Sequence, residues 1–164
     1  MFNLRSTEVG GVNAQIVTSV TLVEALVDHF LDEFIGKSYV LTTSFGRQLV
    51  QRNANSFHQS WDERNLWLDK GFGIALSQFS EAKSLTTIVE VRNAIVHGNN
   101  QLTDRQAKSL FKVLELKKRL SLDLQSELQG RVIVLKANAG QLAIEIAANF
   151  VVSLDEAVAK VLED

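Results

Sequence analysis

Hydrophobic residues recur along most of the chain at the spacing of an α-helix. Residues 13–35 hold the longest such pattern, in which apolar residues alternate at steps of four and three and so line one helix face. Its members are Ile16, Val20, Val23, Val27, Phe30 and Phe34. Leu22, Leu26 and Leu31 widen this face beyond the need of a lone surface helix. The pattern predicts a long first helix, ended by Gly36, that packs between partners or across a dimer contact.

Two shorter helical patterns follow the first helix. The weaker one covers residues 45–50. Ser60 and Glu63 have the spacing of a capping box, in which each side chain satisfies a free backbone N–H at a helix start. They predict a short helix that is stopped by Gly71.

Two longer helices are expected in the second half of the chain. The first runs from about residue 84 to residue 97 and is closed by Gly98 at its C-cap. Thr103 and Gln106 form another capping box and open a helix that reaches about residue 128.

Gly130 closes this helix, and the pattern changes after it. Residues 131–137 and 141–147 are rich in β-branched and aliphatic residues, and a turn-prone Asn-Ala-Gly lies between them. This order predicts a short β-hairpin. A continuous helix over residues 141–150 is the alternative, because Ala and Leu also favour helix. A short final helix, capped at Ser153, is expected after either arrangement.

The composition narrows the class of protein. The chain has 164 residues, 46% hydrophobic and 22% charged, which fits one globular domain. It has no proline, which favours helices over turn-rich β-structure, and no cysteine, which excludes disulfides and suits a reducing cytosol. A net charge of -2 excludes a globally basic nucleic-acid coat protein. We therefore expect a mainly α-helical single domain over residues 1–164, cytoplasmic, with no targeting signal and no membrane span.

The common signatures of cofactor and metal sites are absent from the sequence. It contains no GxxxxGK phosphate loop, no GxSxG elbow and no HExxH motif. The three histidines are widely spaced, and we expect His29 and His58 to be structural. The sequence predicts neither a bound cofactor nor a bound metal.

The segment from Ile88 to Asn100 holds the candidate chemistry. On a helical wheel, Arg92 falls in the middle of a broad apolar side, whereas Asn93 and His97 lie on the other side, one turn apart. A guanidinium keeps its charge, and burying it without a partner is costly. Arg92 therefore either meets a carboxylate inside the domain or faces a cleft that binds an anion. His97 is either a site residue or a cap favoured by the helix dipole.

The run Arg-Asn-x3-His-Gly that begins at Arg92 resembles the HEPN superfamily, whose Arg-x4–6-His motif often has Asn directly after the Arg. The surroundings agree, with Trp-Asp-Glu-Arg at 61–64 and Gly-Phe-Gly-Ile at 71–74 before the motif, and an Asn-Asn-Gln-Leu-Thr loop after it. The resemblance is to small HEPN proteins of the RiboL-PSP type and covers roughly residues 13–128.

This resemblance implies a HEPN-like helical bundle that forms a homodimer, in which two Arg/His pairs share one cleft. It implies a metal-independent endoribonuclease with RNA as substrate, in the role of a toxin or defence effector. His97 would serve as general acid and base, because histidine titrates near neutral pH. Arg92 would stabilise the phosphorane, and Asn93 would orient His97 or hold a phosphate oxygen. An antitoxin or regulatory protein is a further expected partner.

The same resemblance is also compatible with a second function. The chain could be a non-catalytic HEPN-like regulatory or protein-interaction domain, similar to the mannitol operon repressor family. The sequence pI of about 5.9 favours this alternative somewhat, because an acidic protein has no bulk attraction for RNA.

RNA contacts, if present, must come from local features. Residues 103–131 carry seven basic residues against four acidic ones, which either contact phosphates or form an ordinary solvated face. Trp61, Trp67 and Tyr39 either stack on bases or, for the two tryptophans, belong to the core. Glu24 and Asp28 would matter to the site only if the first helix borders the cleft.

Overall fold

A computed structural model describes residues 3–163 and the side chains of residues 11–161. The helices are α1 (Asn3–Lys37), α2 (Ser44–Asn53), α3 (Trp61–Leu66), α4 (Ala82–Gly98), α5 (Asp104–Ala107), α6 (Leu110–Leu124) and α7 (Ala139–Glu163). Strands β1 (Glu127–Gln129) and β2 (Val132–Val134) pair as an antiparallel hairpin. Short 3-10 turns cover Tyr39–Thr42 and Leu76–Gln78, and a π-helical turn covers Trp67–Gly71. The fold is therefore mainly α-helical, with a hairpin and a C-terminal helix, as the sequence predicts.

The described chain forms two compact units. The first joins the chain up to Leu22 to Ser80–Phe150, and the second joins Val23–Phe79 to the chain from Val151 onward. Both α1 and α7 contribute residues to each unit. The expectation of one domain over 1–164, with a bundle over 13–128 and an extension over 131–164, stays a prediction.

The first unit contains α4, α5, α6 and the hairpin, with the beginnings of α1 and α7. Helix α6 packs against α4, α5 and β1. The fully buried residues of the first unit come from each of its longer elements. They include Ile16, Ile88, Val91, Leu102, Leu120, Leu124 and Phe150. Burial of these side chains at about 1.5–3 kcal/mol each is the main stabilising contribution to this unit.

The second unit contains α2, α3, the end of α1 and the end of α7. Aromatic contacts run through it, since Phe34 stacks on Phe72 at 5.0 Å and Phe57 meets the edge of Trp67 at 4.7 Å. Its buried residues also include Val23, Val27, Leu31, Leu68, Leu154 and Val158. Gly46 lies so close to the Val40 carbonyl that a Cβ atom there would collide with it.

Helix α1 confirms the predicted first helix but extends beyond it at both ends. It begins at Asn3, runs through the two early glycines, and passes Gly36 to end at Lys37. A helical glycine costs about 1 kcal/mol relative to alanine, which a helix of this length and burial outweighs. The predicted apolar stripe is buried at Ile16 and Val20, but Leu22 is exposed.

The ends of the middle helices differ from the prediction. Gly98 is still helical, and Asn99 is the residue that adopts the left-handed conformation after α4. The long helix predicted from Thr103 is two helices, because Ser109 caps a second start at α6. This helix ends at Leu124 with Gln125 in the left-handed conformation, and Gly130 instead forms the hairpin turn.

The hairpin lies earlier in the chain than predicted. Residues 141–147 belong to α7 and not to a strand, so the continuous-helix alternative is correct and the separate final helix capped at Ser153 is wrong. The physical reason is that the helical pattern extends over more residues than the alternating one. Its buried members, at helical steps, are Ala139, Ala143, Ala147, Phe150, Leu154 and Val158. Alternation over seven residues cannot compete with a helical pattern of this length.

Helix α1 bears on the expectation that the chain lacks a membrane span. Over Gly11–Lys37 it is long and apolar enough to cross a membrane by length and composition alone, with 33% of the apolar window buried inside the protein. The core helix of a soluble protein passes the same test, so this is weak support for insertion.

Candidate functional site

The three predicted site residues lie in the last two turns of α4, within the first unit. The buried side of α4 is wider than predicted, since it includes Thr87 and Ala94. Arg92 and Asn93 are partly buried and His97 is exposed. Val96, in the last turn of α4, is 51% exposed.

The helix brings Asn93 and His97 together but separates them from Arg92. Residues four apart differ by about 40° around a helix axis, whereas residues five apart differ by about 140°. Asn93 and His97 therefore share the more exposed face of α4, whereas Arg92 lies on the apolar side of this helix. No hydrogen bond joins the Asn93 and His97 side chains in the described part of the chain.

The chain leaves α4 through two successive left-handed residues. Asn99 has φ of 50° and Asn100 has φ of 65°. Asparagine tolerates this conformation better than other residues with a Cβ. The Asn100 N–H donates to the Ala94 carbonyl at 3.0 Å, which closes the last turn of α4 over His97.

A polar bridge fixes α5 beside the face of α4 that carries Asn93 and His97. Gln106 accepts from the Thr103 N–H at 3.0 Å, and its amide donates to the Glu90 carbonyl at 2.8 Å and to the Glu90 carboxylate. Glu90 precedes His97 by two turns on the same face. The capping box predicted at Thr103 is thus confirmed, and it also ties the following helix to the candidate site.

A second polar cluster, between α4 and α6, holds the start of α4. Asp123 accepts hydrogen bonds from Ser84 at 3.1 Å and from Thr87 at 2.8 Å. Arg119 donates to Asp123 at 2.9 Å and to the Ser84 hydroxyl at 2.9 Å. This cluster sets the position of α4 against α6, and sequence reasoning did not find it because its members are far apart in the chain.

The second unit contains a separate cluster around Arg64. The Arg64 guanidinium is nearly buried and makes a two-point contact with Asp28, at 2.6 and 2.8 Å. It also lies 3.9 Å from Glu24 and 5.7 Å from the Trp61 ring centroid. His58 places Nδ1 2.9 Å from Asp28 Oδ1 and Nε2 3.1 Å from Asp32 Oδ1. These contacts agree with the prediction that His58 is a structural residue.

The Arg64 cluster shifts the ionisation of Asp28. Burial opposes the charge of this carboxylate, but hydrogen bonds from Arg64 and His58 together outweigh burial and hold the pKa of Asp28 below its ordinary value. The hydrogen bond with Asp28 in turn raises the pKa of Arg64. The sequence signal was the Trp-Asp-Glu-Arg segment, which gave no indication that its arginine would be buried.

The predicted RNA-contacting residues are partly engaged elsewhere. Of the seven basic residues in 103–131, Arg119 pairs with Asp123 and Arg131 pairs with Asp104. The remaining five are exposed: Arg105, Lys108, Lys112, Lys117 and Lys118. Phe111 and Leu114 are also exposed on α6, beside a shallow groove of about 440 Å³ that includes Lys117 and Lys118. Helix α6 therefore presents both cations and apolar side chains to solvent.

The predicted aromatic residues differ in exposure. Tyr39 is 89% exposed, whereas Trp61 and Trp67 are partly buried in the contacts described above. Among the described residues, no group of three or more His, Asp, Glu or Cys side chains is placed to hold a metal ion.

Comparison with known proteins identifies a family. The family model described as RiboL-PSP-HEPN matches residues 8–122, which include all of α4 and most of α6. No curated protein and no solved structure matches the chain significantly.

Proposed function

Because the chain belongs to the RiboL-PSP-HEPN family, we propose that it is a HEPN-type endoribonuclease that uses Arg92, Asn93 and His97. The observation that carries this proposal is the exposure of His97 at the end of α4, with Asn93 one turn before it on the same face. A solvent-exposed imidazole beside a side-chain amide suits proton transfer to and from a bound substrate.

RNA supplies its own nucleophile for this reaction. The 2′-oxygen attacks the adjacent phosphorus while the His97 imidazole takes the 2′-hydroxyl proton. The bond from phosphorus to the 5′-oxygen then breaks, and the His97 imidazolium returns its proton to that oxygen. The products are a 2′,3′-cyclic phosphate and a 5′-hydroxyl end. Asn93 would orient the imidazole or hold a phosphate oxygen.

Arg92 would neutralise the charge that develops on the phosphorane. A planar guanidinium is always charged and matches two phosphate oxygens at once. Within one protomer, however, Arg92 points from the other side of α4. The expected homodimer resolves this separation, since the arginine of one protomer can meet the histidine of its partner in a shared cleft.

We further propose that single-stranded RNA lies along α5 and α6. The Gln106–Glu90 bridge places α5 beside the face that carries His97, and five exposed cations follow along these two helices. Exchanging Lys117 and Lys118 for glutamate removes two phosphate contacts and adds two repulsive charges, so binding to a labelled oligonucleotide should weaken and become less dependent on salt. Unchanged affinity and salt dependence would place the RNA elsewhere.

The nuclease proposal is tested by RNA cleavage with purified protein in excess EDTA. We expect the wild type to cleave and His97→Ala to lose at least about a hundredfold in rate, the usual scale of a general acid–base contribution. His29→Ala is the matched control, because His29 is also an exposed helical histidine and should leave the rate unchanged. Equal behaviour of the wild type and His97→Ala across varied RNAs would contradict the proposal.

The second candidate function is a non-catalytic regulatory or protein-interaction domain. The partial burial of Arg92 on the apolar side of α4 favours it, because this position also suits a structural ion pair. Under this alternative Arg92→Ala unfolds the protein, whereas under the nuclease proposal it loses activity and stays folded. A toxin or defence role, a protein partner such as an antitoxin, and a cytoplasmic location remain part of the proposal.

A further inference from the structure

The loop that follows His97 is attached to β2 of the hairpin by an isolated antiparallel bridge. The Leu102 N–H donates to the Arg131 carbonyl at 2.8 Å, and the Ile133 N–H donates to the Asn100 carbonyl at 2.9 Å. Gln101 and Val132 form an antiparallel bridge between these two bonds. The loop therefore has its backbone groups paired along its length, which restricts its motion.

The Arg131 side chain reinforces this attachment. Its Nε and Nη2 donate to the Leu102 carbonyl at 3.2 and 2.7 Å, and Nη2 also contacts Asp104 at 2.7 Å. Leu102 itself is 2% exposed, so its carbonyl needs these donors. Asp104 is almost fully exposed, so the ion pair itself contributes little and the bonds to Leu102 matter more.

The attachment continues from the loop into the last turn of α4. Asn100 is held from three sides, by the Ile133 N–H, by the Asn13 amide at 3.1 Å, and through its own N–H to Ala94. The bond to Ala94 closes the turn that carries His97. A displacement of the hairpin would therefore move Asn100 and with it the His97 backbone.

We propose that Arg131 is a positioning residue for His97, acting through Leu102 and Asn100. The inference rests on the nuclease proposal and assigns a role to the hairpin, which lies beyond the residues 8–122 that define the family match. A displaced general acid or base loses rate steeply, because proton transfer requires hydrogen-bond distance to the substrate.

The test compares Arg131→Ala, Arg131→Lys and the control Arg52→Ala, a change at an exposed arginine of α2 outside the proposed RNA path. Arg131→Ala should lower kcat by about ten- to a hundredfold with KM within about twofold, since substrate contacts are untouched. Arg131→Lys, which still donates to Leu102, should recover part of kcat. Arg52→Ala should leave kcat unchanged.

Two further measurements test the positioning role of Arg131 without relying on catalysis. In Arg131→Ala, amide hydrogen exchange at residues 100–102 should become faster and the His97 ring resonances should shift in NMR spectra, while Arg52→Ala changes neither. Unchanged His97 resonances, or faster exchange with unchanged kcat, would overturn the positioning role. A wild type that cleaves no RNA would defeat the nuclease proposal alone, because the ring resonances still report whether Arg131 positions His97.

Discussion

Asp28 shows how a single carboxylate can hold several parts of the second unit. It accepts both arms of the Arg64 guanidinium and lies against His58, so α1, α3 and the segment before α3 meet at its two oxygens. Since Arg64 is nearly buried, its charge depends on this partner. The sequence pattern could not show that an arginine thirty-six positions away covers Asp28.

Replacing Asp28 by asparagine should destabilise the protein by about 1.5–3 kcal/mol at pH 7, the scale of a hydrogen bond to a charged group. The pKa of Asp28 is lowered in the folded chain, so its contribution is present above its ordinary value of 3.8 and is lost as the pH falls through the folded value. The variant should therefore lose less stability than the wild type on acidification. Urea unfolding at pH 7 and pH 3 measures both effects.

The control for this prediction is Asp155→Asn, the same substitution at an exposed position in the interior of α7. It should leave the unfolding midpoint unchanged at both pH values. If Asp28→Asn matches this control, the Arg64 pair makes no net contribution to stability.

At the scale of elements, the sequence pattern predicts the wrong residue at the C-terminal end of α4. Gly98 is the residue expected at a helix C-cap, yet Asn99 takes the left-handed conformation and Gly98 remains in the helix. The one-residue difference arises because the bonds of Asn100 to Ala94 and to the hairpin decide where the helix closes. Those partners are distant in sequence, so a local pattern could not predict the result.

Replacing Asn99 by alanine should lower stability by about 1–2 kcal/mol, because a left-handed conformation is costly for a residue with a plain Cβ. Asn99→Gly should keep or raise stability, since glycine adopts this conformation without that cost. Thermal unfolding of the two variants checks the difference. Equal melting temperatures for the alanine and glycine variants would contradict the assigned conformation.

At the scale of the whole molecule, our proposal assigns Arg92 and His97 of one reaction site to two different protomers. Arg92 and His97 lie on different sides of one α4, about 140° apart around its axis. In a symmetric dimer each arginine can instead face the partner's histidine, and both shared sites are then equivalent. The proposed homodimer is thus part of the proposed site, whereas the apolar face of α1 is already buried within one protomer at Ile16, Val20 and Val27.

This arrangement predicts complementation between two inactive variants. A dimer of one Arg92→Ala protomer and one His97→Ala protomer keeps one site in which both residues are intact. Random exchange of equal amounts should therefore restore about a quarter of wild-type activity. Each variant alone is the control, and native mass spectrometry establishes that the protomers exchange. No recovery in exchanged dimers would show that arginine and histidine act within one protomer.

The sequence by itself determined the helical content, the first helix, α4 and the capping box at Thr103, because each depends on interactions within a few residues. It also placed Asn93 and His97 on one face of α4, since helical spacing alone decides that relation. Tertiary structure decided the position of the hairpin, the burial of Arg64 and the attachment of the loop after His97 to β2. These features depend on residues far apart in the chain, whose meeting is set by packing and by the pairing of buried polar groups.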